Sequence, residues 1–149
     1  MNILIPTMED TRLLSLQIVE LISTYAKECG VLDVSPEYVF GMIYSSVSEY
    51  NLYLSLLMDK GEVVGYFMGS FNEELFTGKP AAFQVGFFVK QSHRTHVHKL
   101  IAAFEKEAND RRCKVIYLHI GPKAPFKRWS RVLGRSGYKP AETYFIKES

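Results

Sequence analysis

The sequence predicts a mixed α/β domain built on a mostly antiparallel sheet, and three observations carry that prediction. Two capped, amphipathic helical patterns stand near the amino terminus. Three consecutive runs rich in β-branched, aromatic and aliphatic residues follow, two of them flanking "DKGE". A fourth such run, "CKVIYLHI", is bracketed by two further helical patterns. A helix joining neighbouring strands implies a parallel pair, because parallel strands need a crossover connection.

Each element has a local reason. "NILIP" is a short strand ended by proline; Thr7 then caps a helix, with Asp10 three residues on in capping-box spacing. Leu14, Ile18, Leu21, Ile22 and Tyr25 recur at helical spacing, and Gly30 stands where the chain leaves the helix through a left-handed residue. Ser35 caps a second helix whose first position is Pro36, where a missing N–H costs nothing. The hairpin "NLYLSLLMDKGEVVGYFMGSF" turns at Gly61, and the polar connection "NEELFTGKP" leads to a third strand, "AAFQVGFFV". From Val97 the helical period returns at Leu100, Ile101, Phe104 and Ala108, with "EKEANDRR" on the solvated side. After the strand "CKVIYLHI", Phe126, Trp129 and Leu133 share one helical stripe, Gly137 ends that helix, and "AETYFIK" closes as a strand. The predicted order is β-α-α-β-β-β-α-β-α-β with the fourth and fifth strands parallel, one domain over residues 1–149.

Composition bounds the function. At 149 residues and 47% hydrophobic the chain has enough apolar surface for a real core. Its start lacks the basic region and long apolar run of a signal peptide, and no stretch is long enough to span a bilayer, so the expected location is cytoplasmic, without membrane contact. Cys29 and Cys113 form no C-x-x-C pair and are read as packing residues in a reducing compartment. Residues 1–50 carry a charge of −5 and the remainder +7. The densest basic stretch, "PKAPFKRWSRVLGRSGYKP", offers Lys127, Arg128, Trp129 and Arg131 as a face for a protein partner. Nucleic acid is a weaker alternative, and a merely solvated surface is a third reading.

"ILIPTMED", "LLMDKGEVVGYFMG" and "FKRWSRVLGRSGYKPAETYFIK", arriving in this order, resemble the GNAT family of acyl-CoA-dependent N-acyltransferases, particularly small phage-borne members. The resemblance implies acetyl-CoA as cofactor and an amine, on a small molecule or a protein, as acceptor. It also implies a loop after the fourth strand whose amides receive the cofactor pyrophosphate at a helix N-terminus. That loop is "VKQSHRTHVHKL", and the positions it implies are Phe88, Val89, Arg94, Thr95, His96, Val97, His98 and Lys99. The family's glycines are missing. Alignment on Arg94 puts Val97 and Lys99 in their places, whereas alignment on Leu100 shortens the loop by about two residues.

The catalytic positions also depart from the family pattern. Gln84 stands where the fourth strand usually carries a carboxylate, and Leu133 where the last helix usually carries a tyrosine acid. Gly86 marks either the family's bulge, which frees an amide for the acyl carbonyl, or a close packing contact. His119, near the end of the fifth strand, is the candidate base, since open sheets bind ligands beyond the carboxyl ends of their strands. His93, His96 and His98 do not have the spacing of a helical metal pair, and no metal is expected. The resemblance leaves two readings open: an N-acetyltransferase of weakened activity, or an inactive interaction protein of the same fold, in the host cytoplasm or a virion if phage-borne.

Overall fold

The computed structural model describes residues 1–30, 33–121 and 124–141. The elements run β1 (Asn2–Leu4), α1 (Met8–Glu28), α2 (Pro36–Ser48), β2 (Leu52–Asp59), β3 (Glu62–Glu73), β4 (Pro80–Val89), α3 (Val97–Asp110), β5 (Val115–Tyr117) and α4 (Phe126–Arg135). The five strands lie in sequence order in one sheet, antiparallel except for the parallel β4–β5 pair. This is the architecture expected from the sequence through α4; the closing strand read at "AETYFIK" lies outside the described residues.

Local chemistry sets the helix ends. The Asp10 amide donates to the Thr7 hydroxyl at 3.2 Å, and the Thr7 amide donates to the Asp10 carboxylate at 2.9 Å, so two otherwise orphaned donors are satisfied. The Thr7 amide first, and then the Thr7 hydroxyl, both donating to the Asp10 carboxylate, hold that carboxyl below its ordinary pKa. Gly30 leaves α1 at φ +89°, and Ser35 and Pro36 begin α2 as read. The β2–β3 turn uses positive φ at two residues, Lys60 at +50° and Gly61 at +85°, which matches the twist of a tight hairpin.

Two differences from the sequence reading concern the site. "CKVIYLHI" yields only Val115–Tyr117 as strand, which pairs with β4 over Ala81–Phe83 alone. The segment before α3 is a 3₁₀ helix, Gln91–His96, where an open loop was expected; its first turn closes through the His93 amide donating to Lys90 O at 2.8 Å.

Helices cover both faces of the sheet. Ile18, Leu21 and Ile22 of α1 and Val39 and Ile43 of α2 pack with Leu54, Leu56, Tyr66, Met68 and Phe88. On the opposite face Phe104 of α3 sits against Tyr53, Phe67 and Phe71, with ring centroids 5.4, 4.5 and 5.7 Å away. Phe104 is fully buried, and a side chain of that size contributes roughly 1.5–3 kcal/mol by leaving water. Gly69 makes the fit possible: a Cβ there would overlap the Phe104 ring. These elements form one compact unit, Met1–His119; a second, beginning at Ile120, contains α4.

Candidate functional site

β4 and β5 pair only over Ala81–Phe83 and Val115–Tyr117. Beyond that point β4 continues to Val89 while β5 ends, which leaves a cleft at the carboxyl ends of two parallel strands. β4 is also irregular there. Gly69 of β3 pairs with Gln84 and Met68 pairs with Gly86, so Val85 has no partner on β3. One extra residue reverses the alternation of faces. Gln84 therefore shares the α3 face with Gly69, while Gly86 and Phe88 share the α1–α2 face with Met68 and Tyr66.

Of the two sequence readings of Gly86, the structure has the bulge and not the close contact. A Cβ on Gly86 would meet nothing nearer than the Tyr66 hydroxyl at 3.8 Å, which is ordinary van der Waals spacing. Val85 carries the bulge outward and is 50% exposed.

Gln84 and His119 come together across the cleft. Gln84 is 4% exposed, and its Oε1 accepts the main-chain N–H of His119 at 3.1 Å. His119 lies two residues past β5, with an open surface; the desolvation its ring does suffer sets its pKa below the ordinary imidazole value of 6.5. The imidazole is therefore neutral at physiological pH and has a nitrogen able to accept a proton.

The basic segment after β4 gathers Arg94, Thr95, His96, Val97, His98 and Lys99 at the start of α3. His96 occupies the N-cap position without a capping side-chain bond, and the first turn of α3 holds no acid. A helix start of that kind favours an anion. Several of the polar side chains are already held, however. Arg94 faces Glu28 of α1 at 3.6 Å and reaches Val89 O at 3.5 Å. Lys99 donates to Met1 O at 3.1 Å, and His98 Nδ1 lies 3.0 Å from Thr95 O. His93 meets Asp59 at 3.3 Å, and Lys90 pairs with Glu62, so acids of the β2–β3 turn fasten this segment. Phe88 gives its side chain to the α1–α2 core, and Val89 is buried at the strand end. Among the described residues no three His, Cys, Asp or Glu side chains converge on a common point.

Glu28, Asp59, Glu62 and Tyr66 were not legible as site residues. Each is 20 or more positions from the residue it touches, so local pattern does not show the contact. In the second unit, α4 has no acid in its first turn, and Phe126, Lys127, Arg128 and Arg131 are exposed while Trp129 is partly covered. Among the described residues no helix is long and apolar enough to cross a membrane.

A mostly antiparallel sheet flanked by helices on both faces, with a bulged β4 parting from a parallel β5, is the GNAT acyltransferase fold. Solved acetyltransferases share it over their whole length. The aminoglycoside N-acetyltransferase AAC(6')-Iy, in complex with the bisubstrate analogue CoA-S-monomethyl-acetylneamine, superposes with a TM-score of 0.76 at 16% identity, covering 99% of this chain and 97% of that one. The ribosomal-protein-alanine N-acetyltransferase from Brucella melitensis biovar Abortus 2308 gives 0.68 at 18%, covering 99% and 100%. The aminoglycoside antibiotic 6'-N-acetyltransferase AAC(6')-IG from Acinetobacter haemolyticus gives 0.70 at 20%, covering 100% and 99%. No protein-family model matches the sequence, nor does any curated protein.

Proposed function

We propose that this protein is an acetyl-CoA-dependent N-acyltransferase acting on an amine. The observation that carries the reading is the parting of β4 from β5 after Phe83 and Tyr117, with the Val85 bulge immediately beyond it. A bulge releases a main-chain amide from the ladder, and an amide with no strand partner suits an acyl carbonyl that gains negative charge during transfer.

The residues present fit the cofactor at both ends. At the acyl end, Gly86 follows the Val85 bulge and puts no side chain beside it. At the other end, the start of α3 lacks a side-chain cap and an acid in its first turn, and Arg94 and Lys99, held in this structure by Glu28 and by Met1 O, would have to turn from those partners to hold a diphosphate. When bound, acetyl-CoA supplies an activated acyl group as its thioester. His119, neutral at physiological pH, takes the proton that an acceptor amine must lose, directly or through water. Gln84 cannot take a proton; its contribution is to hold the His119 main chain across the cleft. The acceptor is an amine on a small molecule or a protein, as among the aminoglycoside and ribosomal-protein acetyltransferases of the same fold.

A second reading, a catalytically inactive protein of this fold serving in phage structure or protein interaction, is favoured by one specific observation. Gln84 replaces a carboxylate, and its oxygen is committed to His119. In that case the exposed basic side chains Lys127, Arg128 and Arg131, with Trp129, form the partner surface.

Calorimetric titration with acetyl-CoA separates the two. Saturable binding that is lost in Arg94→Glu supports the transferase. No heat at millimolar ligand removes it and leaves the interaction protein.

A further inference from the structure

We propose that Ser92, His93 and Asp59 form a second, nucleophilic site, at which the Ser92 hydroxyl takes an acyl group from an activated ester or thioester. The inference does not rest on the transferase reading, which uses none of these three side chains.

The arrangement has the parts that activate a hydroxyl: the hydroxyl itself, a base within hydrogen-bond reach of it, and a third group that orients the base. Ser92 Oγ lies 2.8 Å from His93 Nδ1, and His93 Nε2 lies 3.3 Å from Asp59 Oδ2. A carboxylate only accepts, so Asp59 fixes the ring proton on Nε2; in the neutral imidazole, Nδ1 then turns its lone pair to Ser92. The roles are those of a serine nucleophile, its base and its orienting acid, with the two ring nitrogens exchanged. Exposure suits the roles. Ser92 is open to a reagent, whereas the side chains of His93 and Asp59 are only 21% and 31% exposed.

The hairpin holds all three groups. Asp59 ends β2 and pairs with Glu62 across the tight turn, and Glu62 in turn holds the Lys90 ammonium. The Lys90 amide donates to Val64 O at 2.9 Å, and the His93 amide donates to Lys90 O at 2.8 Å. Ser92 and His93 therefore stand on a segment fastened to the same hairpin that carries Asp59, and their geometry is set before an acyl donor arrives.

In the transfer step Ser92 Oγ bonds to the acyl carbon while its proton passes to His93 Nδ1. The bond from that carbon to the leaving oxygen or sulfur breaks, and the leaving group takes the proton and departs as an alcohol or thiol. O-acyl-Ser92 remains until water, giving its proton to the same nitrogen, releases the carboxylic acid.

The test uses two probes, a fluorophosphonate and p-nitrophenyl acetate, on wild type, Ser92→Ala, His93→Gln, Asp59→Asn and Asp59→Glu. Peptide mass mapping locates the label, and a thermal transition checks that each variant is folded. Wild type is expected to carry both labels on Ser92, and Ser92→Ala to lose them. Labelling is expected to slow about tenfold or more in His93→Gln, and to slow in Asp59→Asn with part of the rate recovered in Asp59→Glu. A folded wild type whose Ser92 stays bare, with acetyl only on lysines or on His93, overturns the inference whether or not any variant folds. So does a folded His93→Gln or Asp59→Asn protein labelled at Ser92 as fast as wild type.

Discussion

The main-chain N–H of His119 donates to the buried Oε1 of Gln84 at 3.1 Å, tying the end of β5 to β4 just where the two strands cease to pair. A side chain thus does the work of a ladder bond at the cleft. Gln84→Ala removes the only side-chain oxygen of Gln84 and leaves a small void on the α3 face. The expected cost is about 1–3 kcal/mol in a denaturant melt. The transfer rate is expected to fall more than the affinity for acetyl-CoA, because His119 loses its tether.

The pH dependence follows from the lowered pKa of His119. Its unfolded imidazole titrates near 6.5 and its folded one lower, so the folded state prefers the neutral ring. The stability this contributes is present above 6.5 and is lost as pH falls through the folded value. A rate profile is expected to hold its plateau to below pH 6.5 and then drop on the acid side. That acid limb should vanish in His119→Gln; an unchanged limb assigns the base elsewhere.

Glu28 competes for Arg94. Their 3.6 Å pair is exposed on both sides, so it contributes at most about 1 kcal/mol to stability. Glu28→Gln frees the guanidinium and removes a negative charge near the start of α3. Affinity for CoA or inorganic pyrophosphate is expected to rise by up to about fivefold, with the melting temperature nearly unchanged. Raised salt should shrink the difference between variant and wild type.

Gly69 is required by a ring and not by a turn. Gly69→Ala would drive a methyl group into Phe104, and the expected loss of stability is about 1–3 kcal/mol. Adding Phe104→Leu to that variant is expected to cost less than the two single changes summed, since the smaller side chain leaves room for the methyl. Full additivity in a melt would show that α3 moves away as a whole.

Helix starts, the hairpin and the buried stripe of α3 were determined by the sequence alone, because each depends on residues three or four apart. Thr7 and Asp10 find one another within a single turn, Gly61 meets the φ its own turn requires, and Leu100, Ile101, Phe104 and Ala108 return to one side by helical period. The tertiary structure alone decided which residues make the cleft. The face of Gln84 and of Gly86 depends on whether β4 has one residue more than β3 at Val85, a matter of register between strands that local pattern does not encode. The partners of the basic segment, Glu28, Asp59 and Glu62, approach from other elements, as Tyr66 does toward Gly86. Such contacts exist only once the sheet has brought distant parts of the chain within a few ångströms.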